Sequence, residues 1–162
     1  MSQDVSVREF IEEYLIGHIG KIKEGYPYFA FLLMAVGIEF LGKCLNEFED
    51  WDDYKFTKPS DNFDEGLKVP SLNKYQNKNL YYELRCGLAH SFLTNNGLKL
   101  SDKDGVVNCE EFYKDFESAC REVLAMKNLP KKNLDSPFFT IANKVNADGS
   151  IVSTTGHTST NR

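Results

Sequence analysis

Between residues 5 and 24 the apolar positions Val7, Phe10, Ile11, Tyr14, Leu15, Ile19 and Ile22 recur along one side at helical spacing, which predicts an amphipathic helix. A short "GYP" link follows, and Pro27 suits the first turn of a second helix running to about Phe48. Phe29, Leu32, Leu33, Val36, Phe40, Leu41 and Leu45 nearly encircle that second helix, as expected of the central helix of a fold. The short link makes the two an antiparallel pair.

From 49 to 77 the pattern breaks. The stretch "EDWDDYKFTKPSDNFDEGLKVPSLNKYQN" is charged and carries prolines, so it reads as an irregular excursion with room for a helical turn. Helical spacing returns from Asn79 to about Leu93, where Leu80, Leu84, Leu88 and Phe92 fall four apart, and "NNG" stops it. In "LKLSDKDGVVN" an Asp-Gly pair between short alternating segments predicts a hairpin. Asn108 with Glu111 forms a helix-start signature for a last helix, striped by Phe112, Phe116, Ala119, Cys120, Val123 and Leu124 and ending before Pro130. A second hairpin is expected in "FFTIANKVNADGSIVSTTG", around Asp148 and Gly149, before a frayed end. The reading is an all-α bundle with one or two small β-hairpins: a helical domain over residues 1–128, with its excursion at 49–77, and a tail over 129–162.

Composition narrows the function classes. The chain has 162 residues, 41% apolar and 13% aromatic, enough for one domain with a real core. Its formal charge of −5 supplies no global field for nucleic acid, so any such role needs a local groove. The four cysteines show neither C-x-x-C nor zinc-ligand spacing and are expected to be reduced, most of them buried. "MSQDVSVREF" does not read as a signal peptide. The run "YFAFLLMAVGIEFLG" is interrupted by Glu39 and is short for a bilayer span, so the expectation is a soluble, cytoplasmic protein.

Candidate chemistry lies in "NLYYELRCGLAHSF", where Arg85 and His90 interrupt an apolar helix. A buried guanidinium costs several kcal/mol unless it is paired, so Arg85 needs a partner, a subunit boundary or a ligand. Five residues turn the pair about 140° apart and about 7.5 Å along an ideal helix. They share no face of one helix, but two copies packed symmetrically would bring both kinds of side chain into one cleft. Glu39 is a carboxylate in the most apolar helix. It either holds Arg85 in orientation or turns to solvent or to the excursion.

Other positions carry weaker signals. His18, at the edge of the first stripe, reads as a packed, hydrogen-bonded histidine, and His157 lies in the loose tail. "WDDYKF" has too few ligands for a metal, and Trp51, Tyr54 and Phe56 either anchor the excursion or stack bases. Lys131 and Lys132 fit a helix end, and Tyr81 and Tyr82 fit packing. No cofactor or metal site is expected.

The helical hairpin, the later helix bearing R-x4-H, and the phrase "ELRCGLAHSF" together resemble the HEPN superfamily (higher eukaryotes and prokaryotes nucleotide-binding), over about residues 5–127. The resemblance implies a helical bundle that dimerises through the motif helix. It also implies an RNA-associated role, either metal-independent cleavage or binding alone, with a protein partner such as an antitoxin. Carried onto this chain, Arg85 would stabilise charge on the phosphoryl oxygens and His90 would transfer protons. The ribose 2′-OH would attack, leaving a cyclic phosphate and a 5′-OH. Active members often place a polar residue directly after the arginine. Here it is Cys86, a poor donor, which keeps open the alternative of a non-catalytic dimerisation or interaction module.

Overall fold

The computed structural model describes residues 2–46, 58–91, 100–101, 107–127, 129, 133–145 and 151–153. It is mostly helical, with small strands. Strand β1 (Ser2–Ser6) leads directly into helix α1 (residues 7–25). Ser6 and Glu9 tie the start of α1 reciprocally: the Ser6 hydroxyl accepts from the Glu9 amide at 3.2 Å and the Glu9 carboxylate accepts from the Ser6 amide at 2.8 Å. This satisfies two amides that a helix start otherwise leaves orphaned.

The middle of α1, Phe10–His18, winds in wider π-type turns between the α-helical segments Val7–Glu9 and Ile19–Gly25. There the Ile16 carbonyl accepts a 2.8 Å hydrogen bond from the Tyr113 hydroxyl. Gly20 admits that phenol, since a Cβ there would stand 2.5 Å from its oxygen. Burial pushes the Tyr113 phenol up to about 12.

Helix α2 (Pro27–Leu45) starts on its proline and buries Ala30, Phe31, Met34, Ala35, Ile38, Leu41 and Cys44. It is central but not encircled: Phe29, Leu33 and Val36 face out. Its mean hydropathy of 1.7 makes it long and apolar enough to cross a bilayer by composition, contrary to the expectation from the shorter run. Half of that window is nonetheless buried inside the fold, as befits a core helix.

The excursion is more regular than its composition suggests. Residues 49–57 lie outside the described residues, but helix α3 (Pro59–Gly66) and a 3-10 helix (Pro70–Lys78) fill most of the rest. Phe63, Leu67, Val69, Leu72 and Tyr75 reach the core from there. α3 crosses α2 at a glycine contact: a Cβ on Gly42 would lie 1.6 Å from the Asn62 carbonyl oxygen, and one on Gly66 would lie 2.1 Å from that of Ile38. The 3-10 helix is stitched to helix α5 (Cys109–Ala125). Ser71 donates to Glu122, and Tyr75 donates to Asp115 at 2.7 Å, with Lys74 on the same carboxylate. Burial, then that hydrogen bond, raises the Tyr75 phenol.

Helix α4 (residues 81–91) joins a π-type segment, Tyr81–Cys86, to an α-helical one, Gly87–Ser91. Leu80, Leu84 and Leu88 anchor it in the core as the spacing predicts, while Phe92 and "NNG" fall outside the described residues. The first expected hairpin is not formed. Strands β2 (Leu100–Ser101) and β3 (Val107–Asn108) pair in parallel, over two residues each, with the Asp-Gly outside the description. At the start of α5 the Asn108 side chain accepts from the Glu111 amide at 3.0 Å, as its signature predicts.

Strands β4 (Pro137–Val145) and β5 (Ile151–Ser153) realise the second hairpin, whose turn, with Asp148 and Gly149, lies outside the described residues. β4 also pairs antiparallel with β1, Val5 opposite Phe139, giving the order β1-β4-β5. The tail is thus joined to the first element of the chain, reinforced by Arg8, whose Nε donates to Asp135 at 2.7 Å.

Three contacts make stability acid-sensitive: the Ser6–Glu9 cap, the Arg8–Asp135 pair, and an ion pair of Lys23 in α1 with Glu110 in α5. The Ser6 amide and hydroxyl hold Glu9 below the usual carboxylate range, Lys23 does so for Glu110, and Arg8 for Asp135. A carboxylate with a lowered folded pKa stabilises the fold above its unfolded value and loses that contribution as pH falls through the folded one. The melting temperature is therefore expected to drop as pH is lowered from the ordinary Glu value of 4.5. In Glu110→Gln, scanning calorimetry across that range should show a shallower fall. An unchanged slope would remove this contact from the account.

Candidate functional site

Arg85 stands at the end of the wide turns of α4, half-buried on the side that meets α2. Its Nε donates to Glu39 Oε2 at 2.9 Å, and each side chain keeps 21% of its surface exposed. Of the two readings open for Glu39, the contact is with Arg85. Its apolar helix supplies the position: Glu39 follows the buried Ile38, and α4 is the only described element that brings it a cation. The two terminal NH2 groups of Arg85 take no acceptor among the described residues.

Below the guanidinium lies the Tyr81 ring, one helical step earlier, 5.7 Å from its central carbon. Cation–π contact of this kind is worth about 0.5–1 kcal/mol at an exposed site. It fixes the plane of the guanidinium from the face that Glu39 does not reach. Burial, and then a hydrogen bond with Cys86, raises the Tyr81 phenol. Cys86 is half-buried where the other thiols are buried. Burial pushes the Cys120 thiol up, with Cys44 next in effect. No disulfide joins any of the four cysteines.

His90 has a different setting. It lies on the α-helical part of α4, exposed to solvent beside the exposed Ala89 and Ser91. It makes no hydrogen bond or ion pair among the described residues. Within one chain, then, the fold brings together Arg85, Glu39 and Tyr81, and leaves His90 outside that group. The apolar setting expected for the whole motif holds for Arg85 and not for His90. The arrangement offers a fixed cation with open donors, and an imidazole reachable from solvent further along the same helix.

Sequence reasoning passed over Tyr81 as packing. The available signal was its spacing, four residues before Arg85 on a helix, which stacks side chains on one face. His18 is exposed, edge-on to Tyr14 at 4.9 Å, and makes no hydrogen bond among the described residues, so the expected bond is not formed. It lines an apolar groove of about 380 Å³ between α1 and α2, with Tyr14, Leu33, Val36 and Phe40. Trp51, Tyr54, Phe56, Lys131, Lys132 and His157 lie outside the described residues. Comparison with protein-family models, with curated proteins and with solved structures gives no match.

Proposed function

We propose that this chain is a HEPN-like, RNA-associated cytoplasmic protein in which two copies meet along α4 and Arg85 binds RNA phosphate. The observation that carries this reading is the state of Arg85. It is held through Nε by Glu39 and from below by Tyr81, with its terminal NH2 groups left open. A guanidinium fixed in this way loses little freedom when a phosphate arrives, and its planar fork suits phosphate oxygens. The exposed Ala89 and Ser91 are small, which lets two copies of α4 approach closely and set both His90 side chains near the opposite guanidinium.

In that cleft RNA cleavage needs no metal. The 2′-OH gives up its proton to one imidazole, its oxygen attacks phosphorus, and the 5′-oxygen leaves with a proton from the other. Arg85 faces the phosphoryl oxygens as charge develops. A non-catalytic interaction module, binding a protein such as an antitoxin, is the second reading. The neutralisation of Arg85 by Glu39 and the net charge of −5 favour it.

The test is incubation of the wild type, Arg85→Ala and His90→Ala with single-stranded and hairpin RNA in EDTA. Retained RNA, cleaved products and solution mass are followed together. The expected result is a dimer that retains RNA in a salt-sensitive manner, with loss in Arg85→Ala. Cyclic-phosphate ends that vanish in His90→Ala identify an enzyme. A wild type that retains no RNA at low salt overturns the reading in favour of the interaction module.

A further inference from the structure

Ala89, His90 and Ser91 give a contact along α4 only short exposed side chains, whereas a stable interface takes about 800 Å² and roughly 20–30 residues from each partner. The missing area lies on α2. Phe29, Leu33 and Val36 are 51%, 37% and 44% exposed, on the side of α2 turned away from its buried residues. With Phe40 they follow one another at intervals of four, three and four, the spacing of a seam that packs against another helix. Tyr26, 67% exposed, stands edge-on to Phe29 at 6.5 Å and carries the stripe past the helix start. A whole aromatic side chain spans about 150–250 Å², so the uncovered parts of Tyr26 and Phe29 alone come to roughly 200 Å². Leu33, Val36 and the groove beside them bring the face to the several hundred Å² that mark an interaction site on a monomer.

This face carries a hollow as well as a ridge. Leu33 and Val36 line the apolar groove of about 380 Å³ on the α2 side, and Leu15, Ile19 and Ile22 line it on the α1 side. Among the described residues no Asp, Glu, Lys or Arg lines it, so it has nothing to hold a phosphate or a charged peptide. A ridge beside a groove suits two-fold pairing, in which each copy must offer the shape that the other fills. The position suits it too. Val36 stands one turn before Glu39 on α2, and Cβ atoms three residues apart lie about 5–6 Å from each other on a helix surface. The stripe therefore borders the carboxylate that holds Arg85.

We infer that a second copy of this chain covers this face, with the ridge of each α2 seated in the α1–α2 groove of the other. The inference rests on the dimer of the reading above and names what holds it together. α2 and the groove supply the apolar centre, and α4 supplies a polar edge with Arg85 and His90. An apolar centre with a polar rim is the usual build of such interfaces.

The test is sedimentation equilibrium of the full chain as wild type, Val36→Glu, Leu33→Glu and Val36→Leu, with melting curves over a concentration series. The wild type is expected to be a dimer whose melting temperature rises with concentration. Each glutamate should weaken the dimer by about 100-fold or more, because a two-fold axis buries every such charge twice in an apolar seat. Val36→Leu should keep it. Both positions are exposed in the single chain, so unchanged circular dichroism shows that the variants fold.

A wild type that is monomeric at about 100 µM, weaker than an interface of this size holds, overturns the inference. Glutamate variants that dimerise as the wild type does overturn it too. So does a monomer that sediments with phosphatidylcholine vesicles, which would mark a membrane-facing stripe. RNA retained by a dimer that both glutamates leave intact sinks the stripe and leaves the RNA reading standing. A dimer that both glutamates break, in a wild type that retains no RNA, leaves the stripe and sinks the RNA reading.

Discussion

Gly42→Ala is expected to lower the melting temperature by about 6–12 °C, corresponding to about 3 kcal/mol in a chain of this size. The added Cβ would sit 1.6 Å from the Asn62 carbonyl oxygen, 2.6 Å from its carbon and 2.7 Å from the Gly66 nitrogen. All three are backbone atoms, so no side chain can rotate away and the two helices must separate. Overpacking a core that can yield costs about 1–3 kcal/mol, and this one cannot, which puts the clash near the ~4 kcal/mol level. The higher helix propensity of alanine returns about 1 kcal/mol. Gly25→Ala is the control, since a Cβ there meets nothing within 4 Å. Calorimetry that places Gly42→Ala within about 2 °C of the wild type, less than 1 kcal/mol, would disprove the close crossing.

The second large effect concerns the Arg85–Glu39 pair, where the two partners are expected to move RNA affinity in opposite directions. Arg85→Ala removes the proposed phosphate donor and, if the chain cleaves RNA, should slow cleavage by about 10²–10³-fold, as loss of a transition-state donor does. Glu39→Gln keeps an acceptor for Nε but takes away the opposing charge. RNA affinity at low salt should then rise, by about tenfold, and the gain should shrink as salt is added. With 21% of each side chain exposed, the pair is partly hydrated, so its loss costs stability less than the ~3–5 kcal/mol of a sealed one. For Glu39→Gln we expect a cost of about 1 kcal/mol or less. Filter binding in which Glu39→Gln loses affinity as Arg85→Ala does would mean that Glu39 itself serves the ligand.

Periodicity made the long helices readable. The stripe in α1, the proline at the start of α2, the leucines of α4 and the Asn108 cap each encode one local rule, and each is met by the fold. What stayed hidden depends on distant partners. In "PSDNFDEG" Pro59 suits a helix start, but no apolar stripe follows it, and what fixes the helix is the fit of Gly66 against α2. The polar start of the chain becomes a strand because residues more than a hundred positions later pair with it.

At the site, the sequence could place a cation and a carboxylate in apolar helices and require that each find a partner, but it left open whether they find one another. That they meet follows from the packing of α4 on α2.

The small sheet has a topological consequence. Ser2 lies opposite Ala142 on one side of β4, and Ser153 opposite Asn143 on the other. Two inter-strand spacings therefore separate them, about 10 Å. A handful of glycine and serine residues would span that gap, so a permuted chain that joins Ser153 directly to Ser2 is expected to keep β4 paired with both of its neighbours.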